Sequence, residues 1–254
     1  MFDFLKDDNF LQLTCHVNSF SRQKLTSSVF AELMQNFYDL GWMRGSGGAM
    51  GCLQEELLFI SPSALQKERI ISDDLLIYDV EKKTAVQLPK DTQPSSCAPL
   101  FSLIMNATGC STVIHTHSSS ANLITQLLGN SCFYEISHQE YLKGVWNPFT
   151  GKTLANTDTL SIPIIDNKPS EIELINDLSS ILSEPICSCA VLVRNHGLFV
   201  WGPTWEQTKI TTECIEYLLE LSIQMKRFGI SLVKTENNDD KCHQQPNYQS
   251  TFLT

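Results

Sequence analysis

The stretch "VIHTHSSS", residues 113–120, runs a β-branched apolar pair into His115 and His117 and then into three hydroxyls. In an extended strand alternate side chains share a face, so both imidazoles point the same way. Two imidazoles on one face are half of a metal site. The chain has six histidines. His16 and His243 lie towards ends expected to be poorly ordered, which leaves His138 and His196. His196 stands in "RNHG", between the apolar runs "CAVLV" and "LFVWG", at what reads as a tight hairpin. A residue there can be aimed at the end of the strand that carries His115 and His117. Three histidines with one position open are a catalytic zinc arrangement, and they suit other divalent first-row metals. A His-x-His pair also arises on strand ends without a metal. The small hydroxyls after it leave room for a ligand.

Glu140, in "SHQEYLKG", has the apolar neighbours Ile136, Tyr141 and Leu142. A carboxylate sheltered there would titrate high and work as an acid/base near neutrality. The same pattern fits a solvated glutamate at a helix end, and Glu135 competes for the role. Cys97, in "PSSCAPLF", opens a helix, whose dipole would partly activate the thiol. Ser95 and Ser96 precede it and, with free N–H groups, could hold an anion. "GSGG" at 45–48, with Ser46 and Gly47, could do so through its backbone. "SPSALQK" adds Ser61, Ser63 and Lys67. Together these residues propose a phosphate beside a metal. "CSC" at 187–189 lacks metal-pair spacing and reads as small buried side chains.

Elements must position these groups. Leu25, Val29, Leu33, Phe37 and Leu40 recur at helical spacing, with Gly41 as a stop. "ELLFIS" and "DLLIYDV" read as strands, "EKKTAVQLP" as a hairpin return and "CAPLFSLIMNAT" as a helix with Pro99 in its first turn. "STVIHTH" is a strand, "SSANLITQLLG" a short helix, "SCFYEIS" a strand leading to a helical turn, "DTLSIPII" a strand. "PSEIELINDLSSILS" is amphipathic. The longest helix starts at Thr204, with Ile210, Cys214, Leu218, Leu221 and Met225 as its expected buried stripe. Interleaved helices and hairpin links predict an α/β fold, with a mainly antiparallel sheet covered on both faces. Residues 19–230 are expected to form one domain, 1–18 a poorly ordered leader and 231–254 a disordered tail.

A length of 254 residues suffices for a sizeable core. A net charge of -10 excludes the basic footprint of a nucleic-acid binder. No apolar run is long enough to span a membrane, and the acidic start does not read as a signal peptide. Nine irregularly spaced cysteines predict reduced thiols in the cytoplasm.

"LGWMRGSGGAM", "ISPSALQKERI", "PSSCAPLF", "VIHTHS", "SHQEYLKG", "IPII" and "CAVLVRNHGLFVWGPTWEQT" occur in an order that resembles the class II aldolase/adducin family over about residues 18–230. Cys97, where the aldolases usually carry an acid, is similar to the family's dehydratase branch. That resemblance implies zinc-dependent loss of water from 5-methylthioribulose 1-phosphate in methionine salvage. It implies one Zn2+ per subunit on His115, His117 and His196, with Glu140 as general acid/base. Cys97 would line the substrate site, and the glycine turn and serine loop would grip the phosphate. It also implies a homotetramer with sites near subunit boundaries. A class II aldolase acting on another ketose phosphate and a non-catalytic adducin-like interaction module are the alternatives. The turn carries Ala49 and Met50, and the serine loop carries Ala64 where the family prefers glycine. These changes are expected to border the phosphate, and alanine would be strained at 64 if its φ is positive.

Overall fold

The computed structural model describes residues 24–90, 92–183 and 188–234. The expected leader, residues 235–254 of the expected tail, His16, His243 and Cys187 lie outside the described residues. Helix α1 (Ser27–Asp39) begins where the Thr26 side chain accepts from the Val29 N–H. Strands β1 (Ala49–Gln54) and β2 (Leu57–Ile60) form a hairpin, followed by β3 (Leu76–Asp79) and β4 (Thr84–Gln87). Helix α2 (Ala98–Thr108) has Cys97 at its N-cap position and ends on the left-handed Gly109. Strand β5 (Thr112–Thr116) leads through His117 into α3 (Ser119–Leu127), capped by the Ser118 hydroxyl on the Ala121 N–H. Then come β6 (Phe133–Ser137), a 3-10 turn at Glu140–Gly144 and a small ribbon of β7 (Trp146–Asn147) and β8 (Lys152–Thr153). Strand β9 (Thr159–Ile165), helix α4 (Ile175–Ser183), strands β10 (Ala190–Val193) and β11 (Gly197–Gly202) and helix α5 (Trp205–Arg227) complete the order.

Among the described residues nine strands make one sheet in the order β4-β3-β2-β1-β5-β11-β10-β9-β6. Every neighbouring pair is antiparallel except β9 with β10. The expected mainly antiparallel α/β sheet is therefore observed. Alternation along β5 divides the core. Ile114, with its partner Met50, faces α1 in one apolar cluster. Val113 faces the other way, where its partner Gly51 leaves room for the Phe101 ring of α2. Helices α3 and α5 pack together against β10 and β11, on the face to which Thr116 points.

Helix α5 buries Cys214, Leu218 and Met225 of its expected stripe but departs from it at the other two positions. Ile210 is exposed and Leu221 half-buried, while Thr208, Thr211, Thr212, Ile215, Glu216 and Leu219 are buried. Hydroxyls make this possible: Thr208 and Thr212 donate to the carbonyls of Thr204 and Thr208, so they enter the core without an orphaned group. No helix among the described residues is long and apolar enough to cross a membrane.

Candidate metal centre and its surroundings

The middle of the sheet brings two distant segments together. His115 is near the end of β5 and opposite Phe199 of β11, and their rings stack with centroids 3.8 Å apart. His117 has just left the strand, with its N–H donating to the Trp42 carbonyl at 2.7 Å. His196 ends the three-residue turn from Val193 to Gly197, which are paired across β10 and β11. Asn195 takes the positive φ of 55° that this turn requires, a conformation asparagine tolerates. Gly197 cannot be replaced simply: a Cβ there would overlap the Thr116 carbonyl oxygen. Arg194 pins the same turn. It donates to the carbonyls of Gly129 and, at 2.9 Å, Ser131 beyond α3, and it pairs with Asp166 at 3.0 Å.

The Nε2 atoms of the three histidines converge. His117 Nε2 lies 2.8 Å from that of His115 and 2.9 Å from that of His196. The outer nitrogens are spoken for: His115 Nδ1 meets the Leu198 carbonyl at 3.1 Å and His196 Nδ1 meets Asn167 Oδ1 at 3.0 Å. A carbonyl oxygen can only accept, so His115 Nδ1 carries the proton and its Nε2 presents a lone pair. His196 is set the same way when Asn167 turns its oxygen to Nδ1, so two lone pairs face His117. One N–H cannot satisfy both at full strength, whereas a divalent ion would. Burial first, and then the neighbouring imidazoles, hold His115 well below the ordinary histidine range. Burial and His196 hold His117 down to about 4. Burial lowers His196 too, against the opposing effect of Glu171. Neutral imidazoles are the ligand form, so the residues present fit a metal ion.

Of the expected phosphate residues, the glycine turn comes directly against His117. A Cβ on Gly47 would stand 2.6 Å from His117 Nδ1, so only glycine lets the turn approach. Lys67 is 1% exposed and ties the serine loop to that turn, its Nζ donating to the carbonyls of Ser46 at 3.0 Å and Leu65 at 3.1 Å. Burial pulls its pKa down to about 8. Ser46 and Ser96 are exposed and Ser63 is half-buried. Ser95 is buried, and its hydroxyl accepts from the Cys97 N–H. Cys97 comes out differently from its sequence expectation. The thiol is buried, and desolvation pushes it up to about 12, so the helix start does not activate it. Ala49 and Met50 belong to the buried interior of β1, not to a phosphate pocket. Ala64 does have positive φ, 56°, so the strain expected there is present.

Glu140 is not gathered into this cluster. Its side chain is 70% exposed and pairs with Lys143 at 2.7 Å, so it lacks the shelter expected of it. Its turn packs on α5, where Tyr141 stacks on Tyr217, on the face away from the imidazoles. It follows β6, the outermost strand, four places from β5. Strand spacing puts that edge about 19 Å across the sheet. Glu135 is exposed on β6, and His138 bonds to Ser137. The carboxylate that does share the site is Glu171. With His117, His196, Asn122, Asn167 and Asn195 it lines an open cavity of about 480 Å³. Sequence reasoning passed over Glu171 and Asn167. Their signal, polar groups just beyond the strand that runs parallel to the His196 strand, becomes visible only with the strand order.

Comparison with known proteins gives these residues a setting. Residues 28–223 match the family model for the class II aldolase and adducin N-terminal domain. The chain is 56% identical over 241 residues to a Caenorhabditis elegans protein named probable methylthioribulose-1-phosphate dehydratase, covering 93% of this chain and 91% of that one. It is 41% identical over 204 residues to the methylthioribulose-1-phosphate dehydratase of Aquarana catesbeiana, covering 80% and 85%. Among solved structures it is similar in fold to an L-fuculose 1-phosphate aldolase, with TM-score 0.61 and 18% identity, covering 82% of this chain and 89% of that one. By its matched length and its relatives, the chain belongs to the class II aldolase/adducin family.

Proposed function

We propose that the protein is a zinc-dependent dehydratase that converts 5-methylthioribulose 1-phosphate to 2,3-diketo-5-methylthiopentyl 1-phosphate in methionine salvage. The observation that carries the chemistry is the convergence of three neutral Nε2 atoms beside a buried lysine and a glycine turn. Relatives of this name, aligned over most of both chains, support the substrate. A three-histidine set with an open position favours zinc. When bound, the ion supplies Lewis-acid stabilisation of negative charge on the substrate's carbonyl side.

The chain's own residues would do the rest. Lys67, the N–H groups around Ser46 and Gly47, and the hydroxyls of Ser63, Ser95 and Ser96 would hold the phosphate. Cys97, neutral at physiological pH, would line the site without adding charge. One carboxylate must take the proton from C3 and one proton must reach the leaving C4 hydroxyl; the enol left behind tautomerises to the diketone. Glu140 fills that role in our reading. An acid/base group must come within about 3 Å of the proton it moves. Glu140 of the same chain stands across the sheet, so it would be supplied by a second copy, in a homotetramer with sites at subunit boundaries. Six free cysteines among the described residues fit a reducing, cytoplasmic setting.

The test is metal content of the purified protein together with diketone formation from methylthioribulose 1-phosphate. Stoichiometric zinc with diketone product is expected. A triose or glycolaldehyde phosphate product would instead make the protein an aldolase, and metal-free, inactive protein would leave a non-catalytic module. Glu140→Gln should keep zinc and lose most turnover; if Glu171→Gln loses it instead, the acid/base is the cavity carboxylate.

A further inference from the structure

On the face of the sheet turned away from the imidazoles, a carboxyl is sealed in protein. Glu216 of α5 is 3% exposed. Its Oε1 accepts a hydrogen bond of 2.5 Å from the Thr116 hydroxyl. Its Oε2 is buried with no hydrogen-bond partner among the described residues. Its neighbours on the buried side of α5 include Ile215, Leu218 and Leu219. A leucine would satisfy that environment without desolvating a carboxyl, so the acid needs an explanation.

Thr116 is the residue between His115 and His117, and it is the last of β5 to pair with β11. His117 lies beyond the ladder, so sheet pairing does not set the direction of its ring. Three anchors do: the Trp42 carbonyl on its own N–H, the Ser118 cap of α3 on one side, and the Glu216–Thr116 bond on the other. The first two hold backbone. The third comes from a different helix and locks Thr116 to α5.

We propose that Glu216 is a positioning residue of the metal centre: by gripping Thr116 from beneath the sheet, it fixes the strand end that aims His117 at His115 and His196. This rests on reading the three imidazoles as metal ligands. Glu216 touches neither metal nor substrate and acts through the Thr116 hydroxyl, with the Ser118 hydroxyl also favouring its charged form.

Zn2+ affinity of the folded full chain, measured by competition with a chromogenic chelator, tests this beside the thermal midpoint of the metal-free protein. Glu216→Ala and Thr116→Val should each weaken Zn2+ binding by about 10–100-fold, the usual loss when a partner behind a ligand is removed. Glu216→Gln, whose amide oxygen still accepts from Thr116, should bind like the wild type. Wild-type affinity in Glu216→Ala, with only the thermal midpoint lowered, would reduce Glu216 to a structural role and overturn the proposal. So would unchanged affinity in Thr116→Val, or a Gln variant as weak as the Ala variant. If Glu216→Ala does not fold, the near-isosteric Thr116→Val and Glu216→Gln decide. A wild-type chain that binds no Zn2+ removes the ligand reading itself, before any variant is compared.

Discussion

Burial takes the Lys67 ammonium out of water and disfavours its charged form, which pulls its pKa down to about 8 even with two carbonyl acceptors. Below that pH it offers a full charge to a phosphate, and above it the charge is lost. Catalytic efficiency on the phosphorylated substrate, which reports the free enzyme, should therefore fall above about pH 8. In Lys67→Arg that limb should move out of range, because guanidinium stays charged; parallel profiles would remove Lys67 from phosphate binding. Ala64 makes a second prediction at this scale. A non-glycine residue in the left-handed region costs about 1–2 kcal/mol, so Ala64→Gly should stabilise the fold by up to about 1 kcal/mol in denaturant unfolding, once glycine's larger entropy loss is deducted. Histidine types and spacing were legible at this scale because alternation along a strand is local. The Cys97 environment was not: a helix start can be read from "SSCAP", but the burial that outweighs its dipole comes from distant segments.

The elements act as fixtures for these residues. The glycine turn before β1 approaches His117 so closely that Gly47→Ala should displace the ring. We expect Zn2+ affinity to fall at least tenfold, as for other losses of ligand support, with far-UV circular dichroism unchanged. The β10–β11 hairpin is held by Arg194, whose charged bonds reach the carbonyls after α3. Arg194→Met should cost about 1.5–3 kcal/mol in unfolding free energy and loosen His196 with it. The hairpin, the cap at Thr204 and the stop at Gly41 were readable from "RNHG", "PTWEQ" and "DLG", since turns and caps are written in adjacent residues. The buried side of α5 was read correctly at Cys214, Leu218 and Met225 and missed at its polar members. Apolar periodicity counts Ile210 and Leu221 but cannot count threonines that bond their own helix, or a glutamate met by Thr116.

At the scale of the whole molecule, the separation of Glu140 from the imidazoles is the decisive feature. If the acid/base comes from a second copy, His115→Ala and Glu140→Gln chains, each inactive alone, should rescue one another when mixed during refolding. About a quarter of wild-type turnover is expected at equal amounts, since half the copies bring intact histidines and half an intact Glu140. No rescue would put both residues in one chain's site. Subunit geometry of this kind leaves no local period in the sequence, so it could be expected only from the family resemblance. Strand order was equally silent, and it has one further consequence. Strand β11 lies between β5 and β10 at the centre of the sheet, yet among the described elements only α5 leaves the ribosome after it. Until residue 202 has emerged, β5 offers a bare edge carrying Val113 and Ile114, open to pairing with other chains. If the three imidazoles hold an ion, the nascent protein cannot complete that site early as a folding nucleus. Metal capture at that site would then report that the central gap has closed, and chains cut short before it are the ones to look for in aggregates.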